Sequence, residues 1–293
     1  MICGKKTRQC RVVFHAPGYD LDATLDSGQA FRWQHEDGAW VGIVKGRWVR
    51  LVRAGQGIRA ETVQDVTSWD WLSDYLQVNV RLDEVIAAFP TDKPLQEAVA
   101  ACSGLRLLRQ DPWECLASFI LSSTKQIVQI KQIVGLLCER FGEPVAAPAS
   151  ATPAYAFPTA TALAKVSEAE LRRCKMGFRA PYLLAAAQAV ARGELNLSAL
   201  AGVETEEART SLITLPGVGR KIADCVLLFA YGRQDAFPVD VWVSKALREL
   251  YFPEQLVTPK HLLEFSRTHF GPYAGYAQQY LFHYMRTRYA SAP

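Results

Sequence analysis

The 293-residue chain lacks the features that mark several broad classes of protein. It has no apolar run long enough to span a membrane. Its first ten residues, MICGKKTRQC, contain no signal-peptide core. We therefore expect an intracellular protein with no membrane partner, found in the cytoplasm or nucleoid of a bacterium or in the nucleus of a eukaryote.

Cysteines are few and are poorly spaced for binding a metal. There are seven, and no two have the close C-x-x-C spacing of a zinc site. None follows Cys225, so the C-terminal part has no four-cysteine set for an iron–sulfur cluster. We expect no metal centre and no cofactor. Cysteines inside apolar runs are predicted to be small buried side chains with reduced thiols.

Charge of one sign is not in strong excess. The chain is 49% hydrophobic and 21% charged, an ordinary globular composition, and it is long enough for two or three packed domains. A net charge of +4 and a pI of about 8.6 fit a polyanionic partner without requiring one. Residues 1–59 contain ten lysines and arginines against five acidic residues. This bias indicates either the solvated face of a sheet or a contact surface.

Patterning divides the chain into an N-terminal β domain, residues 1–92, and a helical core, residues 93–293. Segments rich in Val, Ile and aromatics alternate with turn residues between positions 11 and 63, which predicts an antiparallel meander. The predicted strands are RVVFHA, FRWQ, WVGIV, WVRLV and GIRAETV. From about residue 67 the apolar spacing is mostly helical, and residues 271–290 predict a long amphipathic helix. The predicted fold class is therefore α+β, an antiparallel β domain with short helices packed on an α-helical core.

Boundary signals punctuate the helical part. Asp111 and Pro112 are typical of a helix N-terminus. Gly142 predicts the end of the next helix, and the sequence SEAE at residues 167–170 predicts a capping box. Residues 143–162, rich in alanine and proline, predict an irregular connector.

Residues 211–250 contain the strongest indication of chemistry. The sequence LPGVGRK, residues 215–221, predicts a tight hairpin between two helices. Gly217 and Gly219 would permit unusual backbone angles and close approach of another molecule. The free N–H groups of the second helix could then bind a phosphate without recognising base sequence. A plain helix–helix turn is the alternative, since many such turns contain G-x-G.

Two side chains close to this hairpin could take part in a reaction. Lys221 lies in the first turn of the second helix, where the helix dipole disfavours a cation. It is either a surface lysine that contacts phosphate or a placed amine that attacks an anomeric carbon and forms a Schiff base. Asp240, in FPVDVW, predicts a helix N-cap. The same carboxylate could stabilise positive charge on a sugar ring; the two roles are compatible, because a cap is rigidly held.

The segment LPGVGRKIADC, followed by PVD, resembles the helix-hairpin-helix glycosylase superfamily (HhH-GPD). Four further segments narrow the resemblance to the 8-oxoguanine DNA glycosylase/AP lyase family: DSGQAFRW (26–33), LLRQDPWECLASFILSS (107–123), MGFRAPY (176–182) and GPYAGYAQQYLF (271–282). The resemblance covers about residues 19–285. It implies a bifunctional base excision repair enzyme, both glycosidase and lyase, that removes 8-oxoguanine from double-stranded DNA. It further implies a monomer whose hairpin could hold a structural monovalent cation.

The resemblance also implies roles for individual residues. Lys221 would be the Schiff-base lysine and Asp240 the catalytic aspartate. The Gly28 carbonyl would accept the extra ring N–H that oxidation of guanine creates, which is the main chemical difference on that edge of the base. Gln278 would contact the pairing edge of the base, and Phe282 would stack on its face.

Further residues would complete the base pocket and contact DNA. By the resemblance, Cys225 lies on the other face of the base and Pro238 lines the pocket. Phe178 matches an aromatic wedge, and Arg179 matches an arginine that contacts the orphaned cytosine. The two hairpin glycines, Gly217 and Gly219, would contact DNA.

Three positions depart from the family pattern. Thr124 and Gln129 stand where the family has an amide and a second arginine, and Trp242 stands where the eukaryotic pattern has a phosphate-binding histidine. We therefore expect weaker discrimination of the base opposite the lesion, unless Lys125 or Gln126 reaches the same space.

Two other functions compete with the one that the resemblance implies. A glycosylase for alkylated bases would share the hairpin and the aspartate but would use water in place of the lysine. A non-catalytic helix-hairpin-helix module would bind DNA only. The combination of Lys221, Asp240, Gln278 and Phe282 argues against the second alternative.

Overall fold

The computed structural model describes residues 10–123 and 125–290. The strands are β1 (Cys10–His15), β2 (Gln34–Glu36), β3 (Ala39–Val44), β4 (Arg47–Ala54), β5 (Gly57–Thr62), β6 (Pro144–Val145) and β7 (Ala154–Tyr155). The α-helices are α1 (Leu21–Leu25), α2 (Asp70–Leu76), α3 (Leu82–Ala87), α4 (Lys93–Ala101), α5 (Pro112–Ser122), α6 (Ile127–Phe141), α7 (Ala160–Leu163), α8 (Glu168–Arg172), α9 (Ala180–Ala191), α10 (Thr205–Ile213), α11 (Arg220–Phe229), α12 (Val241–Tyr251), α13 (Pro259–His269) and α14 (Ala274–Ala290). Short 3₁₀ helices cover Gly177–Arg179, Ala199–Gly202 and Gly271–Tyr273. The predicted α+β class is confirmed.

The N-terminal sheet is antiparallel, with strand order β1-β5-β4-β3-β2. Consecutive hairpins join β2 to β5, so this part is the predicted meander, whereas β1 pairs with β5 at the far edge. The strand predicted at FRWQ was wrong, because the strand begins only at Gln34. Phe31 instead packs into the helical core. The ring of Trp33 covers Gly42, where an added Cβ would lie 2.6 Å from it, and its Nε1 donates to the Tyr75 hydroxyl at 2.9 Å.

Most of the arginines in this basic N-terminal segment form ion pairs with acidic residues of the protein itself. Arg11, Arg50 and Arg59 lie 3.2–3.5 Å from the carboxylate of Glu61. Two further pairs are Arg32–Glu114 and Arg53–Asp20. The described part of the segment therefore fits the interpretation as a sheet face better than that as a contact surface. Its lysines at positions 5 and 6 and arginine at position 8 lie outside the described residues.

The helical part has one extensive hydrophobic core, and a smaller core lies against the sheet. Helix α14 runs through the larger core. Its first eight residues, 274–281, are all buried, so the prediction of an amphipathic helix was wrong for this half. The reason is that α4 and α12 both pack against α14. The burial places adjacent glutamines, Gln278 and Gln279, inside the protein.

Local boundary signals were largely confirmed. The Asp111 carboxylate accepts from the Glu114 N–H, Gly142 caps α6, and the predicted capping box opens α8. The connector at residues 143–162 is less irregular than predicted, because β6 and β7 pair within it and α7 begins there. The proposed boundary after residue 92 coincides with the N-cap of α4 and stays a prediction.

Cysteine burial follows the prediction. The five cysteines of the apolar segments are buried free thiols: Cys102, Cys115, Cys138, Cys174 and Cys225.

Among the described residues, no helix has the length and apolar character needed to cross a membrane.

Candidate active site

The hairpin between α10 and α11 has the predicted form. Gly217 has a φ of +78°, and an added Cβ would lie 2.5 Å from the ring of Tyr182, so both conformation and packing require glycine there. Gly219 differs from the prediction. It caps α11 with an ordinary φ of −94°, and no atom would lie within 4 Å of an added Cβ. Its predicted conformational role was therefore wrong.

A buried ion pair fastens the two helices of the hairpin together. Arg209 of α10 donates from Nε to Oδ1 of Asp224 in α11 at 2.6 Å, and both side chains are at least 96% buried. The Nε of Arg220 lies 3.6 Å from the other oxygen of this carboxylate. Burial raises the pKa of Asp224, and Arg209 opposes that shift. The pair thus holds the start of α11 against α10.

Lys221 is the second residue of α11, where the hairpin turns its side chain towards the end of α5. Its Nζ donates to Oγ of Ser122 at 3.3 Å and lies 5.4 Å from the centre of the Phe119 ring. Cys225, one turn later, is buried, and burial raises the pKa of its thiol to about 12. The thiol is therefore neutral, and Lys221 supplies the amine on this side of the helix.

Asp240 caps helix α12, as its sequence context predicts. Its Oδ1 accepts from the Val243 N–H at 2.8 Å, which fixes the direction of the carboxylate. Burial raises the pKa of Asp240, whereas the Val243 N–H and the charge of Lys221 lower it. Pro238, two residues earlier in the chain, is buried. The carboxylate is thus partly desolvated yet held beside a cation.

One cavity of about 480 Å³ contains both candidate catalytic residues, a volume within the usual range for small-molecule sites. It also contains every residue predicted for the base pocket. Besides the catalytic candidates Lys221 and Asp240, its lining includes all five: Gly28, Cys225, Pro238, Gln278 and Phe282. Sequence reasoning missed several further lining residues, among them Phe31, Phe119, Ser122, Ile127, Gln279 and Arg286. For Ser122, the signal in the sequence was a polar residue at the end of an otherwise apolar helix. For Gln279, it was a polar residue inside a buried stretch of helix.

Gly28 forms part of the cavity wall with a φ of +75°, in the left-handed region that favours glycine. An added Cβ would lie 2.8 Å from Cδ1 of Ile127 and 3.2 Å from the Phe282 ring. The backbone of Gly28 is therefore exposed to the cavity between an aliphatic and an aromatic side chain.

Gln278 is 3% exposed, and no donor among the described residues reaches its buried Oε1. Such an atom costs free energy unless a bound molecule or water supplies a donor. Phe282 lies one helical turn further along α14 and lines the same cavity. Together they offer a polar edge and a flat face to a planar group.

The described residues that were predicted to face DNA lie outside this cavity, and they differ in exposure. Phe178 is 53% exposed on a 3₁₀ helix, as a wedge would be. Arg179 is 2% exposed, with its guanidinium 4.2 Å from the Phe178 ring. Gln129 accepts from the Gln126 N–H in the capping box of α6. Thr124 lies outside the described residues.

Comparisons with known proteins agree with the geometry. The family model of the 8-oxoguanine DNA glycosylase N-terminal domain matches residues 11–116 of this chain. That of the HhH-GPD superfamily of base excision DNA repair proteins matches residues 117–271, more than half of the chain. The N-glycosylase/DNA lyase OGG1 of Arabidopsis thaliana is 32% identical over 89% of this chain and 76% of its own length.

Two solved structures are similar over nearly the whole chain. A complex of MBOgg1 with a low-affinity DNA ligand has a TM-score of 0.90 and 35% identity, covering 97% of both chains. The Clostridium acetobutylicum 8-oxoguanine glycosylase/lyase, bound to double-stranded DNA with cytosine opposite 8-oxoguanine, has a TM-score of 0.87 and 31% identity. It covers 95% of this chain and 98% of its own.

An alkylated-base enzyme is more distant. The 3-methyladenine DNA glycosylase of Archaeoglobus fulgidus is 23% identical with a TM-score of 0.77, over 94% of this chain and 98% of its own, a likeness of fold alone. The cavity, the hairpin and both family models agree with the more similar proteins, which are the 8-oxoguanine glycosylases. The chain therefore belongs to the 8-oxoguanine DNA glycosylase/AP lyase family of the HhH-GPD superfamily.

Proposed function

We propose that this protein extrudes 8-oxoguanine from double-stranded DNA, excises the base and cleaves the strand with Lys221 as the nucleophile. One observation carries the proposal: a single cavity joins an amine, a carboxylate and a set of groups suited to a planar base. The amine belongs to the first turn after a phosphate-binding type of hairpin, so a DNA backbone held there would bring a sugar to it.

The first chemical step is base displacement. The lone pair of Lys221 Nζ attacks C1′ of the damaged nucleotide, the N-glycosidic bond breaks, and the departing base takes the bonding electrons and a proton from Nζ. Positive charge develops on the sugar ring during this step. The Asp240 carboxylate, directed by its capping hydrogen bond to Val243, would stabilise that charge without having to reorient.

The second step breaks the DNA strand. The C1′–O4′ bond of the sugar ring then breaks, and the remaining amine proton passes to O4′, which leaves an imine between Nζ and C1′. Removal of a proton from C2′ then expels the 3′ phosphate by β-elimination. The hydrogen bond from Lys221 to Ser122 and the nearby Phe119 ring support a confined amine, because they limit the positions that Nζ can take.

Recognition of the base would use groups on both of its faces and on two of its edges. Phe282 would stack on one face, Cys225 would lie on the other, and Pro238 would line the pocket. The Gly28 carbonyl would accept the N–H that distinguishes oxidised from normal guanine. Gln278 would bond the pairing edge, and the unpartnered Oε1 supports this role because a base N–H would satisfy it.

Extrusion of the base leaves a gap in the duplex and costs a few kcal/mol of stacking and pairing. The exposed Phe178 would fill the gap, and the α11 N-terminus with Gly217 and Gly219 would hold a phosphate. Arg179 would contact the orphaned cytosine only after its guanidinium leaves the Phe178 ring. Thr124 and Gln129 would border the same region.

The decisive experiment is borohydride trapping on duplexes that carry 8-oxoguanine. The wild-type protein is expected to give a covalent adduct. Lys221→Gln should bind the lesion duplex but give no adduct, and Asp240→Asn should lower single-turnover excision strongly at near-normal affinity. Lys260→Gln, on the exposed start of α13, is the matched control and should behave as wild type. Normal adduct yield from Lys221→Gln would refute the proposal.

The same experiment separates the competing functions. An alkylated-base glycosylase that uses water would excise its lesion without any trapped adduct. A non-catalytic DNA-binding module would tolerate both Lys221→Gln and Asp240→Asn without loss of function. The distant relation to the 3-methyladenine enzyme gives neither alternative support beyond the fold. We further propose that the protein acts as a monomer, which sedimentation on and off DNA tests.

A further inference from the structure

We propose that Gln279 is a positioning residue that fixes the direction of the Gly28 carbonyl and so sets how well the enzyme separates oxidised from normal guanine. The inference rests on the proposed role of Gly28 in lesion recognition. It concerns a side chain that neither the hairpin nor the reacting groups involve directly.

Three successive carbonyls in the Gly28 loop differ in their partners. The Ser27 oxygen accepts from Nε2 of Gln279 at 2.9 Å. The Gln29 oxygen accepts from Nε2 of Gln110 at 2.6 Å. Between them, the Gly28 oxygen accepts from no donor in the described part of the chain. The two flanking carbonyls are therefore anchored by side-chain amides, and the middle one is left for a ligand.

The side chain of Gln29 braces the loop from within. It is fully buried, and its Nε2 donates to the oxygens of Thr24 and Arg106 at 3.0 and 2.8 Å. Its Oε1 accepts from the Leu108 N–H at 2.8 Å. These bonds tie the loop to α1 and to the segment that precedes α5. They leave its connection to α14 to other residues.

Gln279 makes the hydrogen bond from α14 that lies nearest to Gly28. Arg286 also reaches the loop from α14, but at Asp26, two residues earlier. Gln279 is 2% exposed and follows Gln278 directly in the helix. This hydrogen bond therefore helps to set the spacing between the Gly28 carbonyl and the amide proposed to bond the pairing edge of the base.

A glycine needs such an anchor more than other residues do. Because Gly28 lacks a Cβ, it can adopt a wide range of backbone angles, so the peptide groups on both sides of its Cα can rotate. Holding the carbonyls on both sides limits that rotation. When the Gln279 donor is removed, the Ser27 oxygen is left buried and unpaired, and the loop gains by turning this carbonyl towards water.

Such a turn would affect recognition more than chemistry. A correctly directed Gly28 carbonyl accepts the N–H of the oxidised base and repels the lone pair that normal guanine carries at the same position. A misdirected one does neither. An abasic site has no base to recognise, so strand cleavage there needs only the amine and the carboxylate.

The test compares Gln279→Met, which keeps the side-chain length but removes the donor, with Gln188→Met, a half-buried helical control in α9. Single-turnover rates are measured on duplexes with 8-oxoguanine, with guanine and with a preformed abasic site. For Gln279→Met we expect roughly 3- to 10-fold slower excision of 8-oxoguanine, the effect of one hydrogen bond. Abasic-site cleavage and adduct trapping should stay within twofold of wild type. An unchanged ratio of lesion excision to abasic-site cleavage overturns the inference.

A second variant covers the case in which Gln279→Met loses both activities through unfolding. In Gln279→Glu, the neutral carboxyl can donate to the Ser27 oxygen, whereas the ionised form cannot. Its lesion-to-abasic ratio, divided by that of wild type at the same pH, should fall as pH rises; the division removes pH effects that the two proteins share. A ratio independent of pH overturns the inference. Failure of the wild-type protein to excise 8-oxoguanine would instead refute the proposed function.

Discussion

Substitution of Gly28 by alanine tests the geometry of the lesion pocket in two measurable parts. The first part is backbone strain, because a residue with a Cβ pays about 1–2 kcal/mol in the left-handed conformation that Gly28 adopts. The second part is crowding. The new methyl group would lie 2.8 Å from Cδ1 of Ile127 and 3.2 Å from the Phe282 ring, so both neighbours must move.

Crowding should lower the free energy of unfolding less than backbone strain does, but it should reduce excision activity more. Cδ1 is the end of a flexible side chain, and shifting it off its preferred rotamer costs about 0.5–1.5 kcal/mol. We therefore expect Gly28→Ala to lower the free energy of unfolding by about 1.5–3.5 kcal/mol in total. The Phe282 ring moves into the space proposed for the base. Excision of 8-oxoguanine should consequently fall at least tenfold, an effect of about 1.4 kcal/mol on the barrier.

Gly193 offers a matched control. It has a φ of +76°, and no atom lies within 4 Å of an added Cβ, so Gly193→Ala reports strain alone. Denaturant unfolding and single-turnover excision of both variants, and of Gly28→Ala combined with Ile127→Ala, separate the two parts. Equal losses of stability at both glycines, together with wild-type excision by Gly28→Ala, would show that the pocket neighbours do not confine the loop.

Four further predictions concern stability, specificity and cofactor content. Arg209→Met leaves Asp224 buried without its main partner, so the free energy of unfolding in denaturant melts should fall by about 3–5 kcal/mol, and a loss below about 1 kcal/mol would contradict this. Burial lowers the pKa of His283 to about 4, so the neutral form stabilises the fold above about pH 6.5, and up to about 3 kcal/mol is lost as pH falls towards 4; His283→Gln should flatten this dependence. Because Gln129 is engaged in capping α6, excision opposite the four bases should show a shallower preference for cytosine than the eukaryotic relatives have, and an equally steep one rejects the idea. Purified protein should contain no stoichiometric iron or sulfide, and a brown, iron-loaded preparation would refute that expectation.

Short-range features were predictable from the sequence alone. The caps at Asp111 and Asp240 depend on a side chain and an N–H group three residues away, so local order is sufficient to define them. The hairpin before Lys221 is equally local. The family resemblance, carried by five segments, supplied Gly28, Gln278 and the other pocket residues that no periodicity could have indicated.

Features that depend on distant packing were missed or misjudged. Trp33 was assigned to a strand because its residue type favours one, yet its contact with Gly42 and its hydrogen bond to Tyr75 take it out of the sheet. The first half of α14 was expected to have a solvent-exposed face, but helices on several sides bury it. Gly219 was predicted to need an unusual backbone conformation, but its φ is one that any residue can adopt.

Local sequence was sufficient to predict where α5, α8 and α12 begin, where the hairpin turns, and which residue types could supply an amine and a carboxylate. Tertiary structure alone decided that groups from the N-terminal loop, α5, α11, α12 and α14 share one cavity. The bond from Gln279 to Ser27 joins residues 252 positions apart. No local pattern can encode such a contact, because it exists only after separate hydrophobic surfaces have packed and forced buried polar groups to find partners.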